Sequence, residues 1–127
     1  MSNLNAIITT TARAQMASAR AGTGTVSAIV GMAFGDGGVS GGSVITPAAS
    51  QTTLNHELLR KAYTSRTFVD SMTVRYSCTL TTSELAGDDI SEIGLYDGNG
   101  DLVCIKNFAA KGKDSDTELT FVIDDIY

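Results

Sequence analysis

The chain has 127 residues, 43% of them apolar and only 18% charged, with a net charge of −5. That length suits one domain with a core needing no metal or disulfide staple, and the low charge leaves neutral surface free for contact with other chains. The nine Lys and Arg are scattered, so the basic stripe of a nucleic-acid reader is missing. No run approaches the ~18 apolar residues of a membrane span, and no secretory signal opens the chain, so a soluble protein made in the cytoplasm is expected.

Residues 3–21 are predicted to form a helix. Leu4, Ile7, Ile8, Thr11, Gln15, Met16 and Ala19 share one face at the 3.6 period, with Ser2 or Asn3 as N-cap and Gly22 placed as a C′ glycine. The stripe is thin and Thr9-Thr10-Thr11 lowers helix propensity, so this helix needs a surface to lie against. Residues 1–22 are therefore read as an attachment or oligomerisation helix, and 23–127 as a single β-rich domain.

Residues 25–34 read as a strand, closed by Gly35-Asp36-Gly37-Gly38, which is taken as a turn requiring positive φ. A long Gly, Ser and Thr-rich connection with Pro47, the only proline, runs to about Gln51; loops of that length are usually functional or mobile. Leu54–Lys61 has helical propensity over two turns, and 62–69 reads as strand. In 72–80, Met72, Val74, Tyr76, Cys78 and Leu80 alternate with polar residues, the mark of a half-buried strand. Residues 90–96 and 102–108 flank Asp97-Gly98-Asn99-Gly100-Asp101, a hairpin signal, and 117–124 reads as the final strand. The predicted fold class is α+β: an N-terminal helix followed by a mainly antiparallel β domain of about five or six strands. Gly94, inside a strand with no side chain to pack, is predicted to lie where another segment or another subunit crosses the sheet.

Residues able to carry chemistry form no recognisable set. His56, the sole histidine, stands beside Glu57, and no G-x-S-x-G elbow is present. One histidine with Cys78 and Cys104 far apart cannot make a usual zinc site; both cysteines sit in apolar runs, as buried thiols do. The glycine run lacks the Lys-Ser/Thr of a phosphate loop and the helix of a dinucleotide fold. Asp97, Asn99 and Asp101 have the opening spacing of a calcium loop, but Leu102 and Phe108 stand where Gly and Glu are needed. Asp88-Asp89 and Asp124-Asp125 are sequence neighbours, which point to opposite faces of a strand. The sequence predicts no enzyme, no cofactor and no metal site.

Several blocks in fixed order carry a resemblance: Met1-Ser2-Asn3-Leu4 with Ile7-Ile8-Thr9; Phe34-Gly35-Asp36-Gly37-Gly38; Thr46-Pro47 with Leu54-Asn55-His56-Glu57-Leu58-Leu59-Arg60; and Ile90-Ser91-Glu92-Ile93-Gly94-Leu95-Tyr96-Asp97 with Gly98-Asn99-Gly100-Asp101-Leu102. Together, over nearly the whole chain, they resemble the N-terminal domain of bacteriophage tail-collar fibre proteins. The resemblance implies a virion tail component of a tailed phage or related contractile particle, in which this domain attaches the fibre to the baseplate. Ending at Tyr127 without shaft repeats or a host-recognition tip, the sequence on this reading favours an adaptor or a shortened fibre protein.

The leading expectation is thus a structural module, probing no nucleic acid and inserting in no membrane, whose partners are other tail or baseplate proteins and further copies of itself as a trimer. Leu4, Ile7, Ile8, Met16 and Gly94 are the predicted interaction residues. The alternative is a receptor- or carbohydrate-binding module of the same tail, which would need exposed aromatics, while the chain has no Trp and eight Phe and Tyr in all. A small hydrolase is the third and least supported reading.

Overall fold

A computed structural model describes residues 6–127. Ten strands and one helix follow in order: β1 (Ala6–Ile8), α1 (Thr10–Arg20), β2 (Ile29–Gly35), β3 (Val39–Ser40), β4 (Ser43–Val44), β5 (Glu57–Ala62), β6 (Ser65–Asp70), β7 (Thr73–Leu80), β8 (Asp89–Asp97), β9 (Leu102–Gly112) and β10 (Leu119–Ile126). They form a five-stranded sheet ordered β1-β9-β8-β2-β5, a three-stranded sheet ordered β10-β7-β6 and the small pair β3-β4. Every pairing is antiparallel.

This corrects the expected α+β class with five or six strands. The chain is mostly β, 51% strand and 9% helical, and its helix is a short attachment to a sheet. Residues 6–8, expected in the helix, pair with β9 as Ala6↔Lys106, Ile7↔Ile105 and Ile8↔Cys104. The edge of β9 needs partners for its backbone groups, and the β-branched Ile7 and Ile8 suit a strand. Thr9 makes the switch: its N–H donates to Val103 O at 2.9 Å, its hydroxyl donates to Leu102 O at 2.7 Å, and its Oγ1 accepts from Ala12 N at 3.2 Å as the N-cap. At the far end, Gly22 has φ +81°, its N–H reaches Ala19 O, and Thr23 N reaches Ser18 O, a Schellman closure. Leu4 lies outside the described residues.

The second correction is Leu54–Lys61, which forms no helix. Leu54 is a buried loop residue and Glu57–Ala62 is β5. β5 supplies hydrogen-bonding partners to the otherwise open edge of β2, with Leu59↔Phe34 and Arg60↔Ala33 in register, and that pairing outweighs a weak local helix preference. The long 35–51 connection contains β3 and β4, joined through Gly41 and Gly42 with φ +58° and +81°. Two consecutive positive φ values make the tight turn that matches strand twist.

The main core lies between the two sheets. Met32 and Phe34 from β2, Ile93 and Leu95 from β8 and Cys104 from β9 face Val74, Tyr76, Cys78 and Leu80 from β7 and Phe121 and Ile123 from β10. Phe34 meets Phe121 edge-on, with ring centres 5.4 Å apart. The opposite face of the larger sheet is also covered: Ala33, Leu102 and Ile105 pack with Leu54 from the loop. Lys61 ties the sheets at one margin, its Nζ donating to Thr79 O at 2.8 Å and to Glu84 Oε1 at 2.7 Å. Both cysteines are free and buried, and burial pushes the Cys104 thiol up to about 12.

Burial on both faces leaves no room at Gly94. A Cβ there would stand 2.9 Å from Cys104 O, 3.1 Å from the Leu102 side chain and 3.5 Å from that of Leu54. The nearest atom is backbone and cannot rotate away. Gly94→Val should therefore cost ~1–3 kcal/mol of stability by overpacking, measured by urea denaturation; an unchanged midpoint would show that the sheet and loop yield freely.

Candidate assembly surface

One carboxylate joins three separate segments of the chain. Glu92, on β8, is fully buried. Its Oε1 accepts from Asn55 N at 2.7 Å, and its Oε2 accepts from Gly37 N and His56 N, both at 2.8 Å. Beside it Ser91 Oγ accepts from Gly38 N at 2.8 Å, and Asn55 Nδ2 donates to Gly37 O at 2.9 Å. Asp36 Oδ1 and His56 Nδ1 close the outer side at 2.5 Å. Hydrogen bonding to Asp36 raises the pKa of the exposed His56 imidazole. The His56 side chain is therefore an ion-pair partner at the rim, without a nucleophile beside it: the nearby Ser91 hydroxyl is buried and engaged by backbone.

The glycines at this junction answer to space and not to backbone sign. Gly35, Gly37 and Gly38 have no positive φ, contrary to the turn expected from sequence. A Cβ on Gly37 would lie 2.6 Å from Asn55 Cβ and 2.8 Å from Glu92 Oε2, and one on Gly38 would collide with the Ser91 carbonyl. The chain passes so close to β8 that only glycine fits.

The Asp97–Asp101 turn is held by one oxygen of Asp97, whose Oδ2 is buried without a hydrogen-bond partner among the described residues. Asp97 Oδ1 accepts from Asn99 N at 2.9 Å and Asp101 N at 3.0 Å, while Asp101 Oδ2 accepts from Gln15 Nε2 at 3.1 Å. The last bond fastens α1 to the hairpin. Among the described residues no three His, Cys, Asp or Glu are grouped to hold a metal ion.

Of the predicted interaction residues, Met16 lies on α1, and Ile7, Ile8 and Gly94 lie on the larger sheet. Ile7 and Gly94 share its outer face, around Leu54 and Leu102. Ile8, opposite Cys104, points to the other side. Ile7 and Ile8 are half-buried and line a shallow depression with Arg13 and Ala49. Met16 is half-buried and lines a small crevice with Ile29, Val103 and Tyr127. On α1 only Ala12 is buried, leaving Ala14, Ala17 and Ser18 open to solvent.

Sequence reasoning missed the apolar surface of the smaller sheet. Phe68, Val69 and Met72 at the β6–β7 corner are 65%, 51% and 61% exposed. The signal was present as two large apolar residues at the end of the polar strand Ser65-Arg66-Thr67, where no alternation accounts for both. Also missed was Asp125. It follows Phe121 and Ile123 on the inner face of β10 and is 1% exposed. The Tyr127 hydroxyl neighbours its carboxylate, which has no other hydrogen-bond donor among the described residues.

The described residues form a β-sandwich in which the Glu92 and Asp97 clusters hold loops and a few large apolar side chains, Phe68, Val69 and Met72 among them, stand exposed. Residues 1–121 match the family described as phage tail-collar fibre protein, N-terminal. The chain belongs to that family, and it is a component of the phage virion tail. It is also similar to a probable tail fiber protein of Escherichia phage P2, with 35% identity over 109 residues. That match covers 84% of this chain and 16% of the relative. No solved structure matches the chain.

Two outcomes follow from these buried carboxylates. Glu92→Ala should leave three part-buried backbone donors without their acceptor and cost ~1–3 kcal/mol, with faster hydrogen exchange at Gly37, Asn55 and His56. Slow exchange there would mean the loops are held by something else. For Asp125, burial raises the carboxyl pKa in the folded chain, so the native state keeps its proton where the unfolded chain has released it. Its contribution to stability therefore falls as pH rises from the ordinary aspartate range through the raised value. Asp125→Asn should melt higher than the parent at neutral pH, with the gap closing in acid; a gap independent of pH would exclude an ionising Asp125 as its source.

Proposed function

We propose that this chain is the tail-proximal attachment module of a tail fibre, joining fibre to baseplate through protein–protein contacts and working as a trimer. The observation that carries the reading is the family match over residues 1–121. Residues 1–22 are the element assigned to the tail side. In support, α1 buries only Ala12 and presents Ala14, Ala17 and Ser18 outward, small side chains that let another backbone approach closely. The role is structural: the Glu92 carboxylate, the Ser91 hydroxyl and Asp97 Oδ1 are engaged in loop anchoring.

The test is a pull-down of purified chain with fibreless tails and, separately, with host cells. The expected result is saturable binding to tails, lost when Ala14 and Ala17 are changed to Arg, with little binding to cells. Binding to cells but not to tails would replace this reading with a receptor-binding module.

A further inference from the structure

The three-stranded sheet has two free edges, β6 and β10, and each carries an apolar surface of different shape. At β6 the surface is a knob. Phe68, Val69 and Met72 project at the corner into β7. The register shifts between Phe68 and Asp70, leaving Val69 without a partner on β7. A bulge of this kind interrupts the row of backbone groups that strand addition would need, so contact here is made by side chains. Asp70 stands among them, its Oδ1 accepting from Met72 N at 2.8 Å. It belongs to none of the ion pairs among the described residues.

At β10 the surface is a groove of about 400 Å³ between the two sheets, floored by Phe108, Leu119 and Phe121. Lys106 and Lys111 line it as well, and neither belongs to an ion pair among the described residues. The knob is apolar with one unpaired anion, and the groove is apolar with two unpaired cations. They lie on opposite edges of the same sheet, so one chain cannot use both on itself.

We propose that the β6–β7 corner of one copy docks into the β9–β10 groove of the next. Phe68, Val69 and Met72 cover Phe108, Leu119 and Phe121, and Asp70 meets Lys106 and Lys111. A contact between two different surfaces is head-to-tail, and it ends only when the ring closes. The proposal rests on the trimeric reading above and supplies its contact surface. The competing contact is two β6 edges paired antiparallel about Phe68, which sets Arg66 against Asp70 of the other copy but leaves the groove empty.

Sedimentation equilibrium on the intact chain separates these, with circular dichroism confirming that each variant is folded. The parent is expected to form a three-copy complex. Asp70→Lys should weaken association at least tenfold, and so should Lys106→Glu with Lys111→Glu. Combining all three changes should bring it back to within a few-fold of the parent, because the charges are exchanged across the same contact. In the competing contact the lysine changes have no effect and the triple variant stays dissociated, which would overturn the proposal. A trimer indifferent to every variant would also overturn it while leaving the trimeric reading intact; a parent that stays monomeric or forms only pairs would remove both. Tail binding, measured as above, reports independently on the attachment role.

Discussion

Glu92 brings a carboxylate into the interior with no Lys or Arg paired to it among the described residues. Such a burial is costly unless hydrogen bonds replace the lost water, and here three backbone N–H groups from two loops do so. The consequence runs in both directions. The carboxylate is tolerable only because Gly37, Asn55 and His56 converge on it, and those loops hold their paths only because the carboxylate receives them. Leu54, immediately before Asn55, is thereby held over the outer face of the larger sheet, where it covers Ala33 and Leu102. One side chain thus couples the loop after β2, the loop before β5 and the sheet between them.

The larger sheet is buried on both faces, and this decides what could be seen in the sequence. Strand β7, with one face in the core and one in water, reads as strict alternation, and Val74, Tyr76, Cys78 and Leu80 are buried as that pattern requires. The β8–β9 hairpin was legible from its turn residues. By contrast β8, buried at nearly every position, has no alternation to reveal its ends. β1 and β5 are strands because β9 and β2 need partners, a condition set elsewhere in the chain. Ile7 and Ile8 fit a helical stripe as well as a strand, and Leu54–Lys61 has the composition of a helix. Nothing local separates the two outcomes at either place; only Thr9, which bonds across to Leu102 and Val103, marks the boundary.

The interaction residues show the same division. Gly94 was identifiable because a glycine inside an apolar strand demands an explanation, and its neighbours supply one within the chain. Glu92 was quoted as part of a block without a role, although a lone acid among Ile90, Ile93 and Leu95 is the same kind of anomaly. The family blocks are legible as text because they meet in space: the glycine run, the Asn55-His56 pair and the Ser91-Glu92 pair are the parties to one set of hydrogen bonds.

Polarity on the smaller sheet is arranged by position rather than by amount. Its outer face is wet and self-satisfied: Arg75 holds Asp124 through two bonds at 2.8 and 3.0 Å, and the Thr79 and Thr120 hydroxyls lie 2.8 Å apart. Exposed pairs of this kind add little stability, but they use up the charges on the face and leave it with no unmet partner. Asp70 and Arg66 on one side and Lys106 and Lys111 on the other, none in an ion pair among the described residues, accompany the exposed apolar groups at the two edges. The smaller sheet thus keeps paired charges on its face and exposed apolar groups at its margins. If these margins carry the proposed contact between copies, the open side of α1, with Ala14, Ala17 and Ser18, remains for a different partner.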